Sequence, residues 1–258
     1  MSTLHITFLG TGTSQGVPVI ACHCSVCSSA DPYDKRLRTS ILVATENTSV
    51  VIDSGPDFRQ QMLREKVEKL DAVLFTHEHK DHIAGLDDVR AYNYFQQRKM
   101  DVYCTARVEQ ALRREFAYCF SDNKYPGIPL LDLHAIDLHP FHIGDIGFEP
   151  IEVLHLQLPV LGFRMGPFTY ITDANFISED QKEKIKGSKV LVLNALRKES
   201  HPSHFTLDEA LELIEELEVE EAYLTHISHQ LGTHDEISVM LPSHVHLAYD
   251  GLKLQIPR

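Results

Sequence analysis

No stretch of this 258-residue chain stays apolar long enough to cross a bilayer, and Met1 to Phe8 lacks the basic segment that precedes the apolar core of an export signal. These absences predict a soluble, cytoplasmic protein. Internal repeats and low-complexity linkers are also missing. With 43% hydrophobic residues, enough to bury a full core, the expectation is one domain over residues 1–258. Basic residues are scarce: 24 Lys and Arg stand against 37 Asp and Glu, a formal net charge of -13. A surface that grips nucleic acid through its phosphates needs a basic face, so that class of partner is disfavoured. Metal ions invert the balance locally, so an acidic exterior with a cationic pocket suits a small anionic phosphate ester. The five cysteines are an odd number in a chain with no export signal. A disulfide framework is therefore the weaker reading and metal binding the stronger.

What the chain does have is Thr76-His-Glu-His-Lys-Asp-His82, directly after the apolar run Ala72 to Phe75. On an extended chain, residues two apart share a side, so His77 and His79 can converge on one ion as the strand Asp71 to Phe75 runs out. Asp81 and His82 fall past the turn, placed for a second ion. A chance cluster of surface histidines is the alternative, and the motifs elsewhere in the chain weigh against it.

Apolar, β-branched runs at 5–9, 41–44 and 49–53 predict strands, with a helix opening at Gly55-Pro56 and running to about Lys66. Segments 87–98 and 107–118 have helical composition and flank a short strand at 102–104. Short strands from about His134 to Thr172 suggest an antiparallel sheet. Thr206-Leu-Asp-Glu209 is a capping box, and Leu207, Ala210, Leu211, Ile214 and Leu217 recur at helical spacing as a core stripe. The strand Ala222 to Thr225 then delivers His226 as the earlier strand delivers His77. Strands arriving in two batches, each followed by helices, favour an α/β (α+β) protein of two packed sheets with helices outside.

The order Asp53, His77-x-His79-x-Asp81-His82, His155, Asp173, His226, all at predicted strand ends, resembles the metallo-β-lactamase superfamily over essentially the whole chain. That resemblance implies a four-layered αββα sandwich with two divalent ions where the sheets meet. It implies that His77, His79 and His155 hold one ion, that Asp81, His82 and His226 hold the other, and that Asp173 bridges them. Imidazole and carboxylate suit zinc or manganese, and ions about 3.5 to 4 Å apart can share a hydroxide while clamping the oxygens of an in-line displacement. Asp53 would orient the His loop from behind, or serve as a turn or helix N-cap aspartate. True β-lactamases carry cysteine at the position of Asp173 and are exported, so antibiotic hydrolysis is not expected.

Cys22-His-Cys-Ser-Val-Cys27 sets three thiolates within six residues, in a Cys-rich loop at about 20–36. A closed tetrahedral zinc site needs a fourth ligand, assigned to His229, with His23 as the local competitor. Redox chemistry is the other reading of such a cluster, while Cys104 and Cys119 read as buried packing residues. Gly10-Thr-Gly-Thr-Ser-Gln-Gly-Val-Pro18, the Cys cluster, His-x-His-x-Asp-His and His226-x-x-His229 together resemble the phosphoribosyl 1,2-cyclic phosphate phosphodiesterases of phosphonate catabolism. The resemblance implies opening of a cyclic ribose phosphate by two active-site ions, often manganese, beside one structural zinc, commonly in a homodimer. The Gly10 to Gly16 loop lacks the Gly-Lys-Ser/Thr of a phosphate-binding Walker loop, so its glycines read as a tight turn beside the metals.

A general acid for the leaving alkoxide is expected from His201 or His204, and His204-Phe-Thr206 matches the His-x-Thr at a helix start in related phosphodiesterases and tRNase Z enzymes. Arg36 and Arg38 could contact a substrate phosphate, but read better as solvated loop residues. Substrate choice is expected in the loops 92–98, 122–129 and 201–204. The alternatives are a tRNase Z-like RNA 3′ endonuclease, a glyoxalase II-type thioesterase and a non-catalytic metal-binding protein. The first grips RNA with an arm inserted between the third metal-binding His and the bridging Asp, yet only 18 positions separate His155 from Asp173.

Overall fold

The computed structural model describes residues 3–122 and 125–258, so the expected substrate-selecting loop 122–129 lies partly outside the described residues, at Asn123 and Lys124. The first sheet takes β1 (Thr3–Gly10), β2 (Ser40–Ala44), β3 (Ser49–Ile52), β4 (Ala72–Leu74), β5 (Met100–Cys104) and β6 (Leu131–Ala135) in that spatial order. The second takes β7 (Phe141–Ile143), β8 (Ile146–His155), β9 (Leu158–Met165), β10 (Phe168–Tyr170), β11 (Val190–Asn194), β12 (Glu221–Thr225) and β13 (Val245–Leu247). A last strand, β14 (Lys253–Pro257), returns to pair antiparallel with β1, which gives two seven-stranded sheets among the described residues.

Successive residues of a strand face opposite ways, and here both faces are apolar. Ile6, Phe8, Ile52 and Leu74 of the first sheet pack on Phe148, Phe163, Tyr170 and Val192 of the second. Val51, Val73 and Val102 face outward onto Phe58, Met62, Val108 and Leu112 of the covering helices. On the opposite side Leu191, Leu193 and Leu224 pack under Ile185, Ala210, Leu213 and Ile214. Three apolar interfaces separate four layers, the expected αββα sandwich.

Three local expectations are refined. Residues 131–135 join the first sheet parallel to β5, because the helix Ala106–Glu115 provides a crossover that returns the chain in the same direction. The helix expected over 87–98 is a 3-10 turn, Leu86–Val89, followed by Arg90–Gln96. The helix Glu179–Ile185 and strand β11 went unassigned from sequence; β11 is apolar along most of its length because helices cover one face and the first sheet covers the other. The capping box is present: Thr206 Oγ1 accepts from the Glu209 amide, and Glu209 Oε2 accepts from the Thr206 amide. Cys104 and Cys119 are buried, and no helix among the described residues is long and apolar enough to cross a membrane.

Candidate metal centre

Parallel strands put their carboxyl ends, and the residues that follow, along one edge. β3, β4 and β5 run parallel in one sheet, β10, β11 and β12 in the other. Asp53 follows β3, the His77 to His82 loop follows β4, Asp173 follows β10 and His226 follows β12, while His155 closes β8. Asp53, Asp173 and His226 all adopt left-handed backbone, with φ of 65°, 54° and 56°. Each such residue costs about 1–3 kcal/mol and persists only where the surroundings dictate it. The turn they make swings the side chain back over the strand ends.

The carboxylates and imidazoles converge. His82 Nε2 lies 3.2 Å from Asp81 Oδ2 and 3.1 Å from Asp173 Oδ2, and His226 Nε2 lies 3.1 Å from Asp173 Oδ1. His77 Nε2 and His79 Nδ1 are 3.1 Å apart, and the His155 ring stands 5.1 Å from that of His79 and 6.0 Å from that of His77. One ligand atom each from Asp81, His82, Asp173 and His226 fits within a 4.8 Å span, as does one each from His155, Asp173 and His204. Asp173 thus belongs to both groups.

Three histidines are aimed by a contact to their other ring nitrogen, the device metal sites use to fix imidazole orientation. His77 Nδ1 is 2.9 Å from Thr76 Oγ1, His82 Nδ1 is 2.7 Å from Asp53 Oδ2, and His155 Nδ1 donates to the Ser203 carbonyl at 2.7 Å. Asp53 also accepts from the amide and hydroxyl of Thr76, so it sits behind the His loop as expected. Sequence reasoning did not single out Thr76 or Ser203. Thr76 could have been found beside His77, but Ser203 acts through its backbone carbonyl and carries no side-chain signal.

Burial opposes charge on Asp81, Asp173, His77, His82 and His155, yet Asp81, Asp173 and His82 hold one another ionised, while burial raises Asp53 above the usual carboxylate range. Burial pushes Asp173 up, but His226 and His82 pull it well below the ordinary carboxylate range; His82 likewise pulls Asp81 down. The same carboxylates, with Asp53, raise His82 well above its usual value. Burial pushes His77 and His155 down, leaving them neutral. His82 Nε2, His204 Nδ1 and both ring nitrogens of His226 are buried without a satisfied hydrogen bond. Carboxylates beside imidazoles whose buried nitrogens lack a hydrogen bond are the donor chemistry of a divalent-cation site.

His204 lies two residues before the helix N-cap Thr206, and its Nδ1 is 3.8 Å from Asp173 Oδ1. Burial, then the nearby His226, pushes its imidazole down to about 2, so it stands neutral. His201 is less buried, with its ring 5.1 Å from that of His204.

The second cluster forms apart from the first. His229 Nδ1 faces Cys22, Cys24 and Cys27 Sγ at 3.3, 3.4 and 3.5 Å, whereas His23 is exposed. Three thiols and one imidazole make a four-donor set that suits zinc. Arg36 departs from its reading as a solvated residue: it is 3% exposed and donates to Thr11 Oγ1 and the Ala248 carbonyl. The Cys-rich loop folds under the Gly10 to Gly16 turn, with the Gly12 amide on the Leu37 carbonyl, and this buries Arg36. Arg38 pairs instead with Asp57 at 3.1 Å.

A family model described as "Beta-lactamase superfamily domain" matches residues 48–227. The chain belongs to that family. A crystal structure described as a new diphosphatase from the PhnP family superposes with a TM-score of 0.93 and 39% identity, covering 99% of this chain and 98% of that one. The chain is therefore a metallo-β-lactamase-fold protein of the PhnP type. A coenzyme PQQ synthesis protein B from Methylorubrum populi is 36% identical to this protein over 74% of this chain and 72% of the relative. An octanoyltransferase from Porphyromonas gingivalis is 43% identical over 95% of this chain. The chain spans half the length of that protein.

Proposed function

We propose that this protein is a metal-dependent hydrolase, a dinuclear phosphodiesterase acting on a small anionic phosphate ester, with a ribose 1,2-cyclic phosphate as the model substrate. The observation that carries the reading is Asp173, shared by the Asp81, His82 and His226 group on one side and by His155 and His204 on the other. In this reading His77, His79 and His155 would hold one ion and Asp81, His82 and His226 a second, with the Asp173 carboxylate available to both groups. Cys22, Cys24, Cys27 and His229 would hold a structural zinc. Manganese or zinc bound by the first set would supply an activated water near neutral pH and neutralise phosphoryl oxygens. Asp53, Thr76 and the Ser203 carbonyl keep the histidines aimed. His204 would donate a hydrogen bond from its neutral imidazole to the departing oxygen and so stabilise the charge that develops there.

Residues 156–172 are occupied by β9 and β10, a compact hairpin, so an RNA-gripping arm between His155 and Asp173 has no place. With the charge of -13, this favours a small substrate over nucleic acid. A homodimer in the cytoplasm completes the reading. Octanoyl transfer is not carried over, since the match covers half of that relative.

A second reading, cleavage of a diphosphate linkage, is favoured by the 39% identical structure described as a diphosphatase. Manganese-loaded protein should hydrolyse bis(p-nitrophenyl) phosphate, and Asp81→Ala should not. A panel pairing a ribose 1,2-cyclic phosphate with a diphosphate diester then ranks the two substrates by kcat/KM. Absence of turnover with two ions bound would sink both readings.

A further inference from the structure

His226 differs from the other aimed histidines of the centre. His77, His82 and His155 each have a neighbour on the ring nitrogen turned away from the cluster, whereas His226 Nδ1 is buried with no hydrogen-bond partner. On the side turned away from the cluster nothing polar aims its ring, which faces Asp173 through Nε2 and stacks on the His204 ring at 4.8 Å, so its placement depends on its backbone. That backbone is in the left-handed region, a conformation an imidazole residue holds only when neighbouring contacts impose it.

The contacts that impose it come just before and just after. The Ala195 amide donates to the Thr225 carbonyl at 3.0 Å. The Ile227 amide donates to the Thr11 carbonyl at 2.9 Å, the Thr13 amide to the Ile227 carbonyl at 3.0 Å, and the Ser228 amide to the Leu196 carbonyl at 3.0 Å. The next residue is His229, whose Nδ1 faces the three cysteine sulfurs. Those sulfurs sit on a loop tied to the same Gly10 to Gly16 turn, since Val17 and Arg36 exchange backbone hydrogen bonds at 2.8 and 2.7 Å. The thiol cluster therefore grips both the segment that follows His226 and the turn that holds Ile227.

We propose that the thiol–His229 cluster is the positioning device for His226: an ion held by Cys22, Cys24, Cys27 and His229 sets the direction of the His226 ring. This rests on the dinuclear reading of the neighbouring centre. Loss of the thiol-bound ion then weakens one active-site position selectively, the one built from Asp81, His82 and His226, and spares the position built from His77, His79 and His155.

The test is metal content by mass spectrometry together with the paramagnetic resonance spectrum of manganese-loaded protein, comparing wild type, Cys24→Ser and His226→Ala. Wild type should hold zinc and an exchange-coupled manganese pair. Cys24→Ser should lose zinc, bind the second manganese on the order of 10- to 100-fold more weakly, and show the uncoupled spectrum given by His226→Ala. If Cys24→Ser does not fold, an organomercurial titrated into folded wild type removes the thiol-bound ion with the same readouts. Zinc loss with an intact coupled pair overturns the proposal. Wild-type protein that never shows a coupled pair overturns the dinuclear reading, and this inference with it.

Discussion

Asp53 Oδ2 lies 2.7 Å from His82 Nδ1, with neither side chain in contact with solvent beyond 1%. The same carboxyl group accepts from the amide and hydroxyl of Thr76, so one buried side chain fixes the residues on either side of His77 to Asp81. Asp53→Asn puts an amide where two donors already point. The expected result is a loss of about 1–3 kcal/mol of stability and metal affinity lower by roughly 10- to 100-fold, read by urea unfolding and manganese titration. Unchanged metal affinity would return Asp53 to the role of a turn residue.

Gly55 packs so closely under the His loop that a Cβ there would stand 2.1 Å from the Asp81 carbonyl oxygen. Gly55→Ala must move the backbone of Asp81 and His82, at a cost of about 1–3 kcal/mol for overpacking. The rise in melting temperature that manganese confers should shrink in this variant. A full manganese-dependent rise would show that Asp81 tolerates the displacement.

His204 reaches toward Asp173 without belonging to the His77–His79 pair or the Asp81–His82–His226 group. His204→Ala is expected to slow turnover by about 10² to 10⁴-fold while both active-site ions remain bound. Turnover at the wild-type rate would remove it from the mechanism.

Burial, with His226 close by, pushes the His204 imidazole from 6.5 down to about 2. In metal-free protein the unfolded chain therefore takes up a proton at this position as pH falls below 6.5, while the folded chain refuses it until near pH 2. Its contribution to stability is complete above pH 6.5 and declines through that window. Comparing urea midpoints of chelator-treated wild type and His204→Asn at pH 7 and pH 5 should show wild type losing ground at the lower pH. A constant difference would contradict the shift.

The strands carrying the ligands were legible because β-branched runs ended directly in His or Asp, as at Ala72 to His77 and Ala222 to His226. The resemblance to a known superfamily then grouped residues that spacing alone leaves apart, such as His155 and Asp173. Less legible were features that arise only in three dimensions. Arg36 looked solvated because its burying partners, Thr11 and Ala248, are distant in sequence. The Ser203 carbonyl that aims His155 is backbone, common to every residue type. Strand β6 was assigned to the wrong sheet because a short amphipathic strand carries no mark of its neighbour.

The proposed ligands straddle the seam of the sandwich, with His77 to His82, backed by Asp53, on one sheet and His155, Asp173 and His226 on the other. Ions bound there would act as rivets between two halves otherwise joined mainly by apolar side chains. Because a cation favoured by the folded state adds about 2.7 kcal/mol at a hundred times its dissociation constant, the melting temperature should climb with the logarithm of metal concentration. Heat resistance in this molecule would then serve as a gauge of how fully its catalytic edge is loaded.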